Sequence, residues 1–168
     1  ISVLTSPLFE GSLEDLAKVK AAVSIPVLRK DFITTLEDLH QTKADLVLLI
    51  VSFLGDRTRL MLQEAHKLGL QAIVEVHTEA ELNIAIEAGA DVIGINQRDL
   101  SDFSMHPEAY ELIRHIPKHI LTIAESGIRN AEDAKQRFDM GFDAVLVGEA
   151  LTRNQKLCEE LCSLKSAV

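Results

Sequence analysis

Four apolar runs end on polar residues: PVLR on Lys30, QAIV on Glu75, VIGI on Asn96, and LTIA on Glu125 and Ser126; a fifth, AVLV, ends on Gly148. Ionisable groups seldom sit in such surroundings without a partner. A lone lysine or glutamate at a strand end is more often a salt-bridge or rim residue, but their recurrence at equivalent places points to a shared site. The residue types suit acid–base chemistry. A lysine crowded by apolar walls becomes a usable proton donor, because desolvation disfavours its charged form. A neighbouring carboxylate can accept a proton, an amide can hold substrate or reacting groups in register, and Lys30 would draw an anionic substrate.

These ends belong to seven short, β-branched or leucine-rich runs, at 1–5, 26–32, 45–51, 71–76, 91–96, 120–126 and 143–148. They are apolar almost throughout, as parallel strands covered by helices are, and lack the alternation of a strand wetted on one face. Helical periodicity and end signals fill the intervals. Ser12 is followed by Asp15, Thr78 and Glu81 form a capping box, Pro107 opens HPEAYELIRHI, and Asn130 precedes AEDAKQRFDM. Gly69, Gly89 and Gly141 mark helix stops. KADLVLLI, GADVIGIN and GFDAVLVG repeat one design: a helix end, a tight turn and a buried strand.

Strict alternation leaves an open doubly wound sheet or a closed (βα)8 barrel, and in both the ligand site lies at the carboxyl ends of the strands. Seven strands fall one βα unit short of a barrel. No linker or second domain interrupts residues 1–168, so one partial barrel domain is expected. The turns ESGI (125–128) and VGEA (147–150) follow the last two runs. In many barrels those two turns cradle a phosphate with backbone N–H groups, and glycine allows the close approach.

Composition narrows the classes further. The chain is 47% hydrophobic and 26% charged, as a soluble globular domain is. Its net charge of −9 argues against a broad nucleic-acid or anionic-membrane surface. It leaves room for an anionic substrate, whose phosphate needs only a few local donors. No apolar run reaches the roughly 18–20 residues of a membrane span, and no signal peptide is visible. Cys158 and Cys162 lack the companions a zinc site needs and read as reduced thiols, which fits a cytoplasmic protein. The chain opens on Ile1 within a strand-like run, so the sequence is expected to begin inside a longer polypeptide.

VLTSPLFEGSLEDL, PVLRKDFI, VEVHTEAEL, GINQRDL, AESGIR and VLVGEAL, in that order, closely resemble the indole-3-glycerol-phosphate synthases from their second barrel strand to the last. LRKDFI and GINxRDL are the more specific; ESGI and VGEAL are shared more loosely among phosphate-binding barrels. The resemblance implies a TIM-type (βα)8 barrel, here with seven units and the first strand missing. It implies a lyase of tryptophan biosynthesis that closes the indole ring of 1-(2-carboxyphenylamino)-1-deoxyribulose 5-phosphate, with loss of CO2 and water and without a metal or organic cofactor. By that resemblance Lys30 is the general acid on the substrate carbonyl and Glu75 the general base in dehydration, while Asn96 and Glu125 orient and stabilise the intermediate. Ser126, Gly127, Gly148 and Glu149 fall in the phosphate-binding turns. Phe9, Phe32 and Leu48 fall in the apolar walls around the anthranilate ring, and Arg98 at the mouth near the anionic groups. The partner implied is a small phosphorylated molecule rather than nucleic acid or a membrane, with a homo-oligomer through exposed strand edges as a secondary expectation.

The chain departs from the family pattern in three places. The first-strand glutamate and lysine of the family, with the Ser-Pro-Ser turn after them, have no counterpart. The segment from Asp31 to Ala44 is shorter than expected, so the helix after Lys30 should be trimmed or unwound. Glu149 stands where the family often has serine, and a carboxylate beside a phosphate must point away from it. His77, two residues after Glu75, reads as the residue before a helix cap rather than a catalytic group. The alternatives are another phosphate-binding barrel, such as a phosphoribosylanthranilate isomerase, and a catalytically incompetent barrel fragment or binding subunit.

Overall fold

The computed structural model describes residues 1–100 and 102–164. Its strands are β1 (Ser2–Leu4), β2 (Leu28–Lys30), β3 (Leu46–Ile50), β4 (Gln71–Val76), β5 (Val92–Asn96), β6 (Leu121–Glu125) and β7 (Ala144–Leu146). They form one sheet in chain order, with every neighbouring pair parallel. The order never reverses, so the sheet is a curled portion of a (βα)8 barrel and not a doubly wound sheet, whose order reverses at a switch point. Among the described residues, β1 and β7 each have a single strand neighbour.

Between the strands lie α1 (Leu13–Ala22), α2 (Leu36–His40), α3 (Val51–Leu54), α4 (Thr58–Lys67), α5 (Glu79–Ala88), α6 (Ala131–Asp139) and, after β7, α7 (Glu149–Arg153) and α8 (Lys156–Leu164). The two-residue period of a strand separates two cores. In β3, Val47 and Leu49 enter the large cluster with Leu39, Met61, Leu62 and Leu82 of the helices. Leu48 and Ile50 enter a smaller inner cluster with Leu28 and Ile73. The same period sets Arg29 and Lys30 of β2 on opposite faces. Arg29 is buried and satisfied, donating to Thr5 Oγ1 (3.1 Å), Thr42 Oγ1 (2.9 Å), Asp31 Oδ2 (2.9 Å) and the Asp38 carbonyl (2.7 Å), which ties α2 to the sheet. Lys30 is thereby left to the inner face.

The repeated aspartate of the turn-to-strand phrases has a direct role. Asp45 Oδ2 accepts from the Val27 N–H at 2.8 Å and Asp143 Oδ2 from the Thr122 N–H at 2.8 Å, so the starts of β3 and β7 are fastened to the strands before them. Ser12 and Asn130 cap α1 and α6 as their sequence positions predict. The segment after Lys30 is short, as expected: α2 has only 5 residues, closed by a Thr35/Asp38 capping box.

The Thr78/Glu81 box is a correction. Thr78 Oγ1 accepts from the Glu81 N–H at 3.3 Å, but the Glu81 carboxylate does not return to Thr78. It accepts from the His77 N–H at 2.7 Å instead, because the histidine ring also reaches it. HPEAYELIRHI is helical with Pro107 at its first turn, as expected, but Pro107–His115 winds as a 3-10 helix. Its three-residue turn aligns Tyr110 and Ile113, with Ile116 after its end, and these face the core.

Candidate active site

Four strand ends bring the polar residues together. Lys30 closes β2, Glu75 sits near the end of β4, and Asn96 and Glu125 are paired across β5 and β6. The Lys30 ammonium lies 3.7 Å from Glu75 Oε2 and 3.7 Å from Glu125 Oε2. The lysine is 31% exposed and the two glutamates 0% and 2%, so a reachable cation stands over two buried acids. Apolar walls alone do not surround it, as the strand pattern suggested; its immediate neighbours are charged.

Asn96 is held in one orientation. Its Nδ2 donates to Glu75 Oε1 at 3.1 Å, while its Oδ1 accepts from the Ser126 hydroxyl at 2.7 Å and the Arg98 N–H at 3.0 Å. A flipped amide would set oxygen against oxygen and donor against donor. Glu75 Oε2, toward Lys30, and Glu125 Oε1, packed over Gly94, are buried without a hydrogen-bond partner. Full burial pushes Glu125 well above the ordinary carboxylate range; adjacent Glu75 adds to this and Lys30 opposes it.

The turn after β6 is shaped by its surroundings. Ser126 and Gly127 both take φ 67°. A side chain on Gly127 would collide with the Gln97 amide, whose Nε2 donates to the Ser126 carbonyl at 3.2 Å. The Tyr110 hydroxyl lies 2.7 Å from the Glu125 carbonyl and 2.8 Å from the Ser126 carbonyl, and clamps the turn from behind. Across the mouth, Arg98 Nη2 lies 3.6 Å from Glu149 Oε2, and Arg153 lies 2.8 Å from Glu149 Oε1. The structure thus brings Arg98 to the turn of Gly148 and Glu149, with the exposed Glu149 carboxylate turned to the two arginines.

Phe9 and Phe32 face each other at 6.1 Å between ring centroids, and Phe53 meets Phe32 edge-on at 5.4 Å. Leu48 is buried in the inner cluster, on the face that carries Lys30, and Phe32 packs against that cluster. Phe53, half-exposed on α3, extends the aromatic row, and no sequence signal separates it from the core residues beside it.

His77 precedes the Thr78 cap of α5, as its position predicts, and its ring also reaches Glu75. Its Nε2 lies 3.4 Å from Glu75 Oε1 and its Nδ1 3.2 Å from Glu81 Oε2. Burial works against a charge on the ring, but the Glu81 hydrogen bond and the charges of Glu75, Glu81 and Asp99 outweigh it and raise its pKa. The signal was its spacing: two residues on from Glu75, it shares the face of that residue. A cleft of about 370 Å³ opens beside it, lined in part by Asn96, Gln97, Asp99 and His106. Among the described residues no group of His, Cys, Asp and Glu is placed to hold a metal ion, and no helix is long and apolar enough to cross a membrane. Cys158 and Cys162 are exposed free thiols on α8.

The model of the family described as "Indole-3-glycerol phosphate synthase" matches residues 1–164. An indole-3-glycerol phosphate synthase of Rhodococcus opacus is 48% identical over 157 residues, covering 90% of this chain and 58% of that protein. One of Mycobacterium ulcerans is 46% identical over 160 residues, covering 92% of this chain and 59% of that protein. The chain therefore spans about three-fifths of the length of these curated relatives. Among solved structures, 3-hexulose-6-phosphate synthase from Salmonella typhimurium superposes with a TM-score of 0.75 at 17% identity, over 96% of this chain and 86% of that one, a likeness of fold alone.

Proposed function

The chain belongs to the indole-3-glycerol phosphate synthase family, and we propose that its strand-end site serves an indole ring closure, that of 1-(2-carboxyphenylamino)-1-deoxyribulose 5-phosphate. The observation that carries this reading is the Lys30 ammonium poised 3.7 Å from each of two buried carboxylates.

A carbon–carbon bond forms between the ring carbon bearing the carboxylate and the ketone carbon, and Lys30 gives its proton to the ketone oxygen. The carboxylate leaves as CO2, returning its bonding pair to the ring. Lys30, reprotonated from solvent, gives a second proton that lets the former ketone oxygen leave as water, while Glu75 takes a proton from the neighbouring methylene carbon. The net change is one proton consumed, one CO2 and one water released. Asn96 holds the Glu75 carboxylate in place, and Glu125, kept protonated by its burial, offers a hydrogen-bond donor to the intermediate. The Ser126–Gly127 and Gly148–Glu149 turns take the phosphate with Arg98 beside them, and Phe9 and Phe32 line the aromatic end.

The open edges of β1 and β7 support self-association of residues 1–168 by backbone pairing, which light scattering at several concentrations tests. The function itself is tested by joining residues 1–168 to the preceding segment of the Rhodococcus opacus relative. The completed protein is then supplied with the carboxyphenylamino-deoxyribulose phosphate and followed by indole fluorescence. Product formation is expected; a completed, folded protein that forms none sinks the reading.

A further inference from the structure

Two buried carboxylates in contact with each other and with one ammonium hold one proton between them, because adjacent negative charges resist ionising together in a dry interior. The two glutamates differ in their remaining neighbours. Each has one oxygen, Glu75 Oε2 and Glu125 Oε1, buried with no hydrogen-bond partner; the difference lies at the other oxygen of Glu75. Glu75 Oε1 accepts from Asn96 and faces His77 Nε2 at 3.4 Å. His77 is held from behind by one oxygen, Glu81 Oε2, which takes its backbone N–H at 2.7 Å and its Nδ1 at 3.2 Å. Chain and ring are fixed together, which is why the Glu81 carboxylate forgoes the capping position that its sequence spacing offers.

We propose that His77 is a positioning residue that decides which glutamate carries the charge: seated on Glu81, its imidazolium faces Glu75, keeps it ionised and leaves the shared proton on Glu125. The consequence rests on the ring-closure reading: Glu75 is the member ready to take a proton from carbon. The groups facing His77 are all acidic, Glu75 on β4, Glu81 on α5 and Asp99 in the loop after β5. Glu79, His106 and Glu108 line the cleft outside it, and Lys30 stands beyond Glu75.

The test begins on the 168-residue chain, with imidazole nitrogens followed by NMR through a pH titration. His77 is expected to hold both ring protons to higher pH than an ordinary imidazole. Glu75→Gln should lower its midpoint by about one pH unit or more, the scale of one close charge in a partly buried site. A His77 midpoint that Glu75→Gln leaves unmoved overturns the proposal. The second arm uses His77→Gln in the completed protein. The acid limb of kcat/KM should move up by about one pH unit once the cation facing the base is gone, with KM little changed. A lowered rate with an unmoved acid limb would mark a merely structural histidine and overturns the proposal. Should His77→Gln fail to fold, the Glu75→Gln titration decides alone. Should the wild-type completed protein turn over no substrate, the ring-closure reading fails while the titration still decides the charge arrangement.

Discussion

The carboxyl group of Glu125 lies directly over Gly94: a Cβ on Gly94 would overlap Oε1 of Glu125 and stand 3.1 Å from Ile73 Cγ2. A glycine in the middle of β5 thus makes room for an acid arriving from β6. Gly94→Ala should destabilise the chain by about 1–3 kcal/mol in urea unfolding, the usual cost of overpacking a tight interior. The cost should shrink when Glu125 is Ala as well, giving a coupling above about 0.5 kcal/mol in the double-mutant cycle. Strict additivity would show that the two residues do not compete for the same space.

Glu125 also sets a pH dependence. Its pKa is raised in the folded state, so between about pH 4.5 and that raised value the folded chain binds more protons than the unfolded one. Stability from this group is present at low pH and is lost as pH rises through that window. Glu125→Gln removes the titration while keeping the shape. The variant should match the wild type near pH 4 and become progressively more stable than it toward pH 8, measured by urea midpoints. A stability difference that stays constant with pH would refute the protonated state assigned to Glu125.

Glu149 competes for the arginine that a phosphate would use. It is exposed, and its two ion pairs, with Arg98 and Arg153, are of the surface kind worth about 0.2–1 kcal/mol each. Glu149→Ser should therefore tighten inorganic phosphate binding by a factor of about 2–5, read from an NMR titration in which the Ser126–Gly127 and Gly148–Glu149 amides move first. Arg98→Gln should erase that gain. Shifts confined to other loops would refute the phosphate assignment.

The strands were legible because parallel strands buried on both faces leave continuous apolar runs. Lys30, Glu75, Asn96 and Glu125 were legible because a polar residue closing such a run must be paired or put to use. What escaped were relations set by side-chain direction. Glu81 has the spacing of a capping partner for Thr78, and only the nearby His77 ring draws its carboxylate away. Pro107–His115 carries helical signals, yet the Tyr110 hydroxyl must reach the carbonyls after β6, and the chain winds more tightly. Leu48 was legible only as an apolar residue; its place beside Phe32 in the inner cluster follows from the strand period. Gly94 had no signal at all, since its reason lies in the acid of the next strand.

Lys30 and Glu75 carry the chemistry if the reaction is the one proposed. In the completed protein, Lys30→Met removes the proton donor and leaves Glu75 and Glu125 buried without their cation; Glu75→Gln keeps the hydrogen-bonding shape and removes the base. Each should lower turnover by a factor on the order of 10² or more, the scale of a positioned general acid or base. Lys30→Met should also be the less stable variant, because a buried acid pair without its partner is costly, whereas Glu75→Gln should fold normally. Residues 1–168 alone should turn over far more slowly than the completed protein. Seven strands leave the inner face open beside β1 and β7, and water entering there weakens every charge interaction on which Lys30 depends. Indole fluorescence measured side by side on the two proteins checks this. Equal rates would show that the seven-stranded chain already encloses its site, and a Lys30→Met variant with wild-type turnover would remove the lysine from the mechanism.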